Sequence, residues 1–261
     1  MAFPSTNIAD QIKFASQLLS ESEHCVALTG AGISTPSGIP DFRSPDSGVW
    51  TKYSPMEVAS LSAFRSDPEK FYDWLRPFAK NLFIANPNPA HISLAELERN
   101  NYIKCIVTQN IDTLHQKAGS KNVIEVHGTF QTLSCLDCYQ QVEADQEFLN
   151  WFLENIETPR CPDCGNALKP DIILYEEILP ADKWEQARDQ IYQCDLLLVL
   201  GSSLTVVPVA ELPYSALRAG SKVIIIDRSS TQFDNLATLA IQGDLANLLP
   251  IIKDKVLNEK I

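Results

Sequence analysis

The sequence is short of positive charge. Twenty-one Lys and Arg stand against 33 Asp and Glu over 261 residues, a formal net charge of −12. Nucleic-acid binding needs cations against phosphate, so no direct nucleic-acid partner is expected. A Lys-rich peptide partner is compatible with that charge, as is plain solubility. Long apolar runs are missing too. The best, Leu196 to Leu200, stops at Gly201-Ser202-Ser203, which suits a buried strand and is too short to span a bilayer. Residues 1–24 are amphipathic, carry Asp10, Glu21 and Glu23, and have no apolar signal-peptide region, which predicts a cytoplasmic protein without a membrane partner. The seven cysteines, an odd number in a large chain, do not read as a secreted disulfide scaffold. There is no internal repeat or low-complexity segment. Also absent is the third glycine of a G-x-G-x-x-G fingerprint, because position 35 is Thr35. No acidic residue closes a second strand about 20 residues later, so an ordinary hydride-transfer dehydrogenase is disfavoured.

What is present is core material. Hydrophobic residues make up 45% and charged residues 21%, which fits one large domain. Helical spacing runs through 8–19, 68–85, 90–99, 182–193, 208–219 and 244–258, with a turn or short helix at 112–118. Near-continuous apolar strands are expected at 25–29, 102–108, 123–126, 172–175, 195–200 and 222–227, and residues 33–54 read as loop. Alternating strands and helices of this kind imply an α/β fold with a doubly wound parallel sheet, Rossmann-like over about 1–127 and 171–261. Residues 128–170 differ: they carry seven acids against Arg160 and Lys169, weak periodicity and two cysteine pairs, and read as a small inserted module within a single catalytic domain spanning 1–261.

Spacing decides the cysteine chemistry. Cys135-x2-Cys138 and Cys161-x2-Cys164 can each aim two thiolates at one ion, and together they complete a tetrahedral site. Four unrelated buried thiols would not repeat that spacing. All four positions are Cys, so one structural Zn2+ without an open coordination position is expected. Cys25, Cys105 and Cys194 sit in or beside strands and read as small core residues.

Gly30-Ala31-Gly32 after a strand suits a nucleotide loop, because backbone can approach a pyrophosphate where Cβ atoms are missing. Alone it is equally a tight turn. Of the four histidines, His24 and His91 flank helices and read as surface or cap residues. His127, at a strand end before a glycine, is a somewhat better base candidate than His115.

The motifs do not stand alone. Gly30 to Ser44, including Thr35, Asp41, Phe42 and Arg43, resembles the first signature of the sirtuin family of NAD-dependent protein deacylases. Thr108 to His115 resembles the second, Val126-His127-Gly128 the third, and Gly201-Ser202-Ser203-Leu204 a further one, all in family order over about residues 7–252. The pattern looks closest to the bacterial and archaeal deacetylase branch. The resemblance implies that NAD is a co-substrate, that an acyl-lysine protein or peptide enters beside the zinc module, and that nicotinamide and O-acyl-ADP-ribose are released. Protein mono-ADP-ribosylation from the same site is the alternative. It implies His127 as general base, with Asn110 and Asp112 completing the catalytic set. It also implies NAD contacts from Gly30, Ala31, Gly32, Thr35, Asp41, Phe42, Arg43, Gln109, Asn110, Ile111, Asp112, His127, Gly201, Ser202, Ser203, Asp227 and Leu245. A monomer is the working expectation.

Two departures stand out. Asp227 replaces the family's usual Asn; a carboxylate still accepts ribose hydroxyls, and Arg228 is expected to offset its charge. Ile173-Leu174-Tyr175-Glu176-Glu177 replaces a pattern with Gly before its Glu, which predicts that Glu176 lies near the peptide and selects a basic residue there. In the desuccinylating relatives a Tyr and an Arg are three apart. Here Tyr72 and Arg76 are four apart, and the best register puts Leu75 and Phe78 in the pocket, which suits acetyl or longer aliphatic groups.

Overall fold

The computed structural model describes residues 7–42 and 48–258. Among the described residues nine strands run in chain order: β1 (Cys25–Thr29), β2 (Cys105–Thr108), β3 (Val123–Glu125), β4 (Gly128–Cys135), β5 (Gln141–Glu143), β6 (Leu168–Ile172), β7 (Leu196–Leu200), β8 (Lys222–Asp227) and β9 (Leu239–Gln242). The helices are α1 (Ile8–Glu21), α2 (Pro55–Val58), α3 (Leu61–Ser66), α4 (Pro68–Ile84), α5 (Pro89–Arg99), α6 (Leu114–Lys117), α7 (Gln146–Glu154), α8 (Ala181–Gln193), α9 (Leu212–Arg218) and α10 (Leu245–Asn258). No helix among the described residues is long and apolar enough to cross a membrane.

The larger sheet is fully parallel, in the order β3-β2-β1-β7-β8-β9. Its strands have no polar face, so both faces must be covered. Alternate residues do this. Ala27, Ile106, Leu198 and Ile224 pack with α1, α5 and α10, while Leu28, Val107, Leu197, Val199 and Ile225 pack with α8 and α9. Cys25, Cys105 and Cys194 are buried core residues, and burial pushes the Cys105 thiol up to about 12, which keeps it un-ionised. The order reverses between β1 and β7, and in such sheets the ligand crevice opens at the carboxyl ends of the strands at that point.

The smaller sheet, β5-β4-β6, is antiparallel and joins the larger one through Val126 and His127. Gly128 pairs with Ile172, and the Ile173 amide donates to the His127 carbonyl at 2.8 Å. Only glycine fits this crossing: Gly128 has φ +76, and a Cβ there would meet the Asp171 carbonyl oxygen at 2.0 Å. The two cysteine turns match each other. Tyr139 N–H donates to the Cys135 carbonyl and Gly165 N–H to that of Cys161, and both donors have left-handed backbone, φ +62 and +77. The four Sγ atoms lie within 4.8 Å of one another, and Cys135–Cys164 and Cys138–Cys161 are each 3.5 Å apart. A zinc ion with 2.3 Å Zn–S bonds sets its sulfurs about 3.8 Å apart, so this donor set fits one tetrahedral zinc.

Several elements differ from the sequence reading. In place of the strand expected at 172–175, β6 runs Leu168–Ile172, where its residues find partners on β4. Residues 173–175 stay extended but pair only through single bridges. The helix expected at 208–219 opens as a 3-10 turn and becomes α-helical only at Leu212. Helix α7 lies inside the segment of weak periodicity; Asp145 caps it, and the single fully buried Phe152 anchors it. The strand β9 and the short helices α2 and α3 carry too few residues for a periodic signal.

The cluster around the metal turns is small, Leu133, Cys135, Cys161 and Leu168. A three-stranded sheet with so little core is marginal on its own, whereas structural zinc supplies ~10 kcal/mol of apparent folding energy. Metal analysis should therefore find one zinc per chain. Cys138→Ser and Cys161→Ser should each lose it and lower Tm by roughly 10 °C or more. Variants that keep wild-type Tm after losing the metal would contradict a structural role.

Candidate active site

The loops after β1 and β7 meet at the strand-order reversal. Gly30 N–H donates to the Leu200 carbonyl at 3.1 Å, and Gly32 N–H donates to the Gly201 carbonyl at 2.9 Å. A Cβ on Gly201 (φ +63) would lie 2.4 Å from the Ile33 nitrogen, and one on Gly30 would lie 2.7 Å from the Gly201 oxygen. The close packing that a third fingerprint glycine provides inside one loop comes here from Gly201 on another strand. The Gly30 and Gly32 amides are spent on joining the loops rather than presented to a phosphate.

Two adjoining cavities open from this junction. One, about 290 Å³, is lined by Gly30, Ala31, Gly32, Asp41, Phe42, Gln109, Asn110, Gly201, Ser202, Ser203, Asp227 and the 229–231 turn. The other, about 710 Å³, is mostly apolar and is lined by Ile39, Phe42, Trp50, Trp74, Leu75, Phe78, Leu82, Ile111, Asp112 and residues 172–179. Ala31, Phe42, Gln109, Asn110 and His127 line both. His127 Nδ1 lies 3.1 Å from the Gln109 carbonyl oxygen. A carbonyl only accepts, so Nδ1 carries the proton and Nε2 is the basic nitrogen.

Behind the shared wall lies a buried polar network. Asp112, 5% exposed, accepts from Ser34 Oγ at 2.6 Å and from Leu114 N–H at 2.9 Å. Asn110 Nδ2 donates to the Gly30 carbonyl and to Ser34 Oγ. His91 Nδ1 accepts from Asn88 N–H, so its Nε2–H faces Ser34 Oγ. Thr29 Oγ1 donates to Thr108, so it accepts from His115 Nε2 at 2.9 Å. The two imidazoles are 4.9 Å apart, edge to face. His91 is thus a fully buried network member as well as a helix cap, and not a surface residue. Ser34, which links His91, Asn110 and Asp112, was not a sequence candidate. Its position in the first signature was visible, but its burial was not.

The other candidates divide between those that line the cavities and those that do not. Leu245 packs in the core at the start of α10 and does not line either cavity. Thr35 donates its hydroxyl to the Gly32 carbonyl and does not line them either. Arg43 lies outside the described residues. Ser203 is exposed at the rim, with Oγ 3.0 Å from Thr205 Oγ1, while Ser202 is buried and accepts from Gln109 Nε2. Asp227 accepts from Ser229 N–H at 2.8 Å, and burial raises its pKa, helped by Asp234 and Asp41. Arg228 does not offset that charge; it pairs with Asp244 instead. Glu176 lines the larger cavity, but its carboxylate bonds Ser62. The Tyr72 hydroxyl donates to the Leu168 carbonyl and Arg76 lies over the Phe152 ring, and neither lines the larger cavity.

Burial lowers His91 from 6.5 to about 4, and lowers His115 as well. Both are neutral above pH 6.5 in the folded and unfolded chain, so the full stability is present there. As pH falls from 6.5 towards 4, the unfolded chain binds protons that the folded one refuses, and stability is lost. Asp112, raised by burial, protonates earlier in the folded chain and offsets part of this. At pH 5.5 the loss from His91 alone is about 1–1.5 kcal/mol. Urea unfolding should show that loss relative to pH 7.5, and His91→Gln should reduce it. Equal stability of the wild type at both pH values would contradict it.

With this geometry in place, the likeness to known proteins is specific. The family that matches residues 30–208 is the Sir2 family. NAD-dependent protein deacylase 2 of Archaeoglobus fulgidus is 45% identical over 248 residues, covering 95% of this chain and 96% of the relative. A solved Sir2 complex with a p53 peptide and NAD+ superimposes with a TM-score of 0.85 at 39% identity, covering 94% of this chain and 98% of that one. The structure of Sir2Af2 bound to a myristoylated histone peptide superimposes with a TM-score of 0.83 at 39% identity, covering 96% and 98%. The chain, with its α/β Rossmann-like sheet and inserted tetracysteine module, belongs to the Sir2 family.

Proposed function

We propose that this chain is an NAD-dependent protein-lysine deacylase that releases nicotinamide and O-acyl-ADP-ribose. The observation that carries the reading is the place of His127: it sits where the polar cavity adjoins the apolar one, with Nδ1–H held by the Gln109 carbonyl. The phosphate and adenosine side of NAD suits the smaller cavity by its position at the strand-order reversal, by the glycine packing that leaves no Cβ at the junction, and by the acceptor Asp227 for a ribose hydroxyl, with the nicotinamide reaching Ile111 and Asp112 on the larger one. Bound NAD supplies an electrophilic ribose carbon, whose bond to nicotinamide breaks as the acyl oxygen is captured, and a neighbouring ribose hydroxyl.

The chain's own groups do the rest. His127 Nε2 takes the proton of that hydroxyl, since the Gln109 bond fixes the tautomer that makes Nε2 basic. Asp112 and Asn110 are held rigid by Ser34, Leu114 N–H and the Gly30 carbonyl, and so present fixed polar groups to a carboxamide. Ile111 and Phe42 shield that position from water, and Ala31, Gln109, Ser202 and Ser203 line the phosphate and ribose side. The acyl-lysine of a protein or peptide enters the larger cavity. Trp74, Leu75, Phe78 and Leu82 give it an apolar wall, which favours acetyl and longer aliphatic groups over succinyl.

Mass spectrometry of a mixture with NAD and acetyl- or longer acyl-lysine peptides should show nicotinamide and the matching O-acyl-ADP-ribose. His127→Ala should lower kcat at least ~10²-fold while NAD binding persists. Undiminished turnover by His127→Ala would remove the assigned base. ADP-ribose on protein without O-acyl-ADP-ribose would favour the transferase alternative.

A further inference from the structure

The wall of the larger cavity at residues 173–178 belongs to no sheet. Tyr175 N–H donates to the Ala59 carbonyl and Leu61 N–H donates to the Tyr175 carbonyl, each at 3.0 Å, and these form one isolated bridge to the start of α3. The next residue is the unusual one. Glu176 has φ +76, a left-handed conformation that glycine adopts freely and a β-carbon disfavours. Its carboxylate accepts twice from one residue, from Ser62 N–H at 2.8 Å and from Ser62 Oγ at 3.0 Å. Ser62 lies in the first turn of α3, next to the Ser60 cap. Glu177 then ties the same turn the other way. Its carboxylate accepts from Leu174 N–H and from Lys169 Nζ at 3.0 Å, and that lysine is 6% exposed and also donates to the Pro170 and Ile172 carbonyls.

We propose that Glu176 is a positioning residue for the acyl-lysine: its carboxylate latches the cavity wall to α3 and holds that wall in its binding conformation before substrate arrives. The proposal rests on the deacylase reading above. A glycine would suit the backbone at 176 better, so what the Glu side chain adds is the pair of bonds to Ser62. A wall already ordered does not charge its ordering entropy to the peptide's affinity. A wall that samples other conformations weakens apparent binding by the fraction of time it is competent. The latch touches neither the NAD cavity lining nor His127. Both carboxylate oxygens accept from Ser62, so the latch is a role separate from the basic-residue selection expected from the sequence, and charged peptides distinguish the two.

The test compares Glu176→Gly, Glu176→Gln and Ser62→Ala with the wild type on one neutral acyl-lysine peptide, on Lys-flanked and Asp-flanked versions of it, and on NAD. Glu176→Gly should raise the peptide KM about tenfold on all three peptides, with kcat and the NAD KM within about twofold. Its Tm should be equal or higher, since the backbone strain is gone. Glu176→Gln keeps one acceptor and should be intermediate, and Ser62→Ala should move the same way as Glu176→Gln. Hydrogen exchange at 172–178 should quicken in the same order. The proposal fails if the peptide KM and the exchange of 172–178 are unchanged in Glu176→Gly. It fails equally if KM rises only for the Lys-flanked peptide while Ser62→Ala is silent, since the carboxylate then reads substrate charge. A wild type that turns over no acyl peptide would fault the deacylase reading instead, and the exchange at 172–178 would still report on the latch.

Discussion

The contact on which the rest depends is the backbone-to-backbone approach of the loops after β1 and β7. Gly30 and Gly32 lie against Gly201 at distances that no side chain would permit. The approach brings a loop from the first βα unit against one that arrives much later in the chain. Everything at the carboxyl ends of the central strands follows from it: the polar cavity, the placement of Gln109 against Ser202, and the seating of Asn110 on the Gly30 carbonyl. An unpaired polar group in such a junction would cost ~1–3 kcal/mol, so the Gly30 and Gly32 amides are each matched to a carbonyl.

Two environments then meet on a shared wall. On one side are buried neutral imidazoles and a carboxyl fixed by Ser34, a hydrogen-bonded network that cannot rearrange at low cost. On the other is an aromatic cavity, with Trp50 stacked on Trp74 at 5.9 Å and Phe42 packed on Phe78. His127 faces both the polar and the apolar cavity because it occupies the short link between the two sheets. Gly128, just after it, lets β4 cross against β6 closely enough for Ile173 to bond the His127 carbonyl. The metal module and His127 are therefore joined through one strand crossing, although the metal site contributes no group to the cavities.

What could be read from the sequence was local or periodic. The Cys-x2-Cys pairs disclosed the zinc set because two ligands fit on one turn. The uninterrupted Val, Ile and Leu strands disclosed a sheet covered on both faces. What could not be read was decided by distant partners. Gly201 completes a glycine set that looked deficient within 30–35. Arg228, adjacent to Asp227 in sequence, lies just past the end of β8 and pairs with Asp244. Glu176 seemed aimed at substrate and is held by Ser62 instead. His91 had the spacing of a cap and is one, yet its other nitrogen joins the buried network. Family resemblance named the NAD chemistry, and the geometry favours His127 over His115 for the proposed base, because His127 lines both cavities whereas His115 is buried against Thr29.

The most direct measurement is NAD binding by calorimetry to Gly201→Ala, with circular dichroism to monitor the sheet. A methyl at φ +63 and 2.4 Å from the Ile33 nitrogen must push the two loops apart. The account predicts a folded sheet with NAD affinity reduced at least ~100-fold, equivalent to about 3 kcal/mol. Wild-type affinity in the folded variant would contradict it, because the cavity would then not depend on the glycine contact.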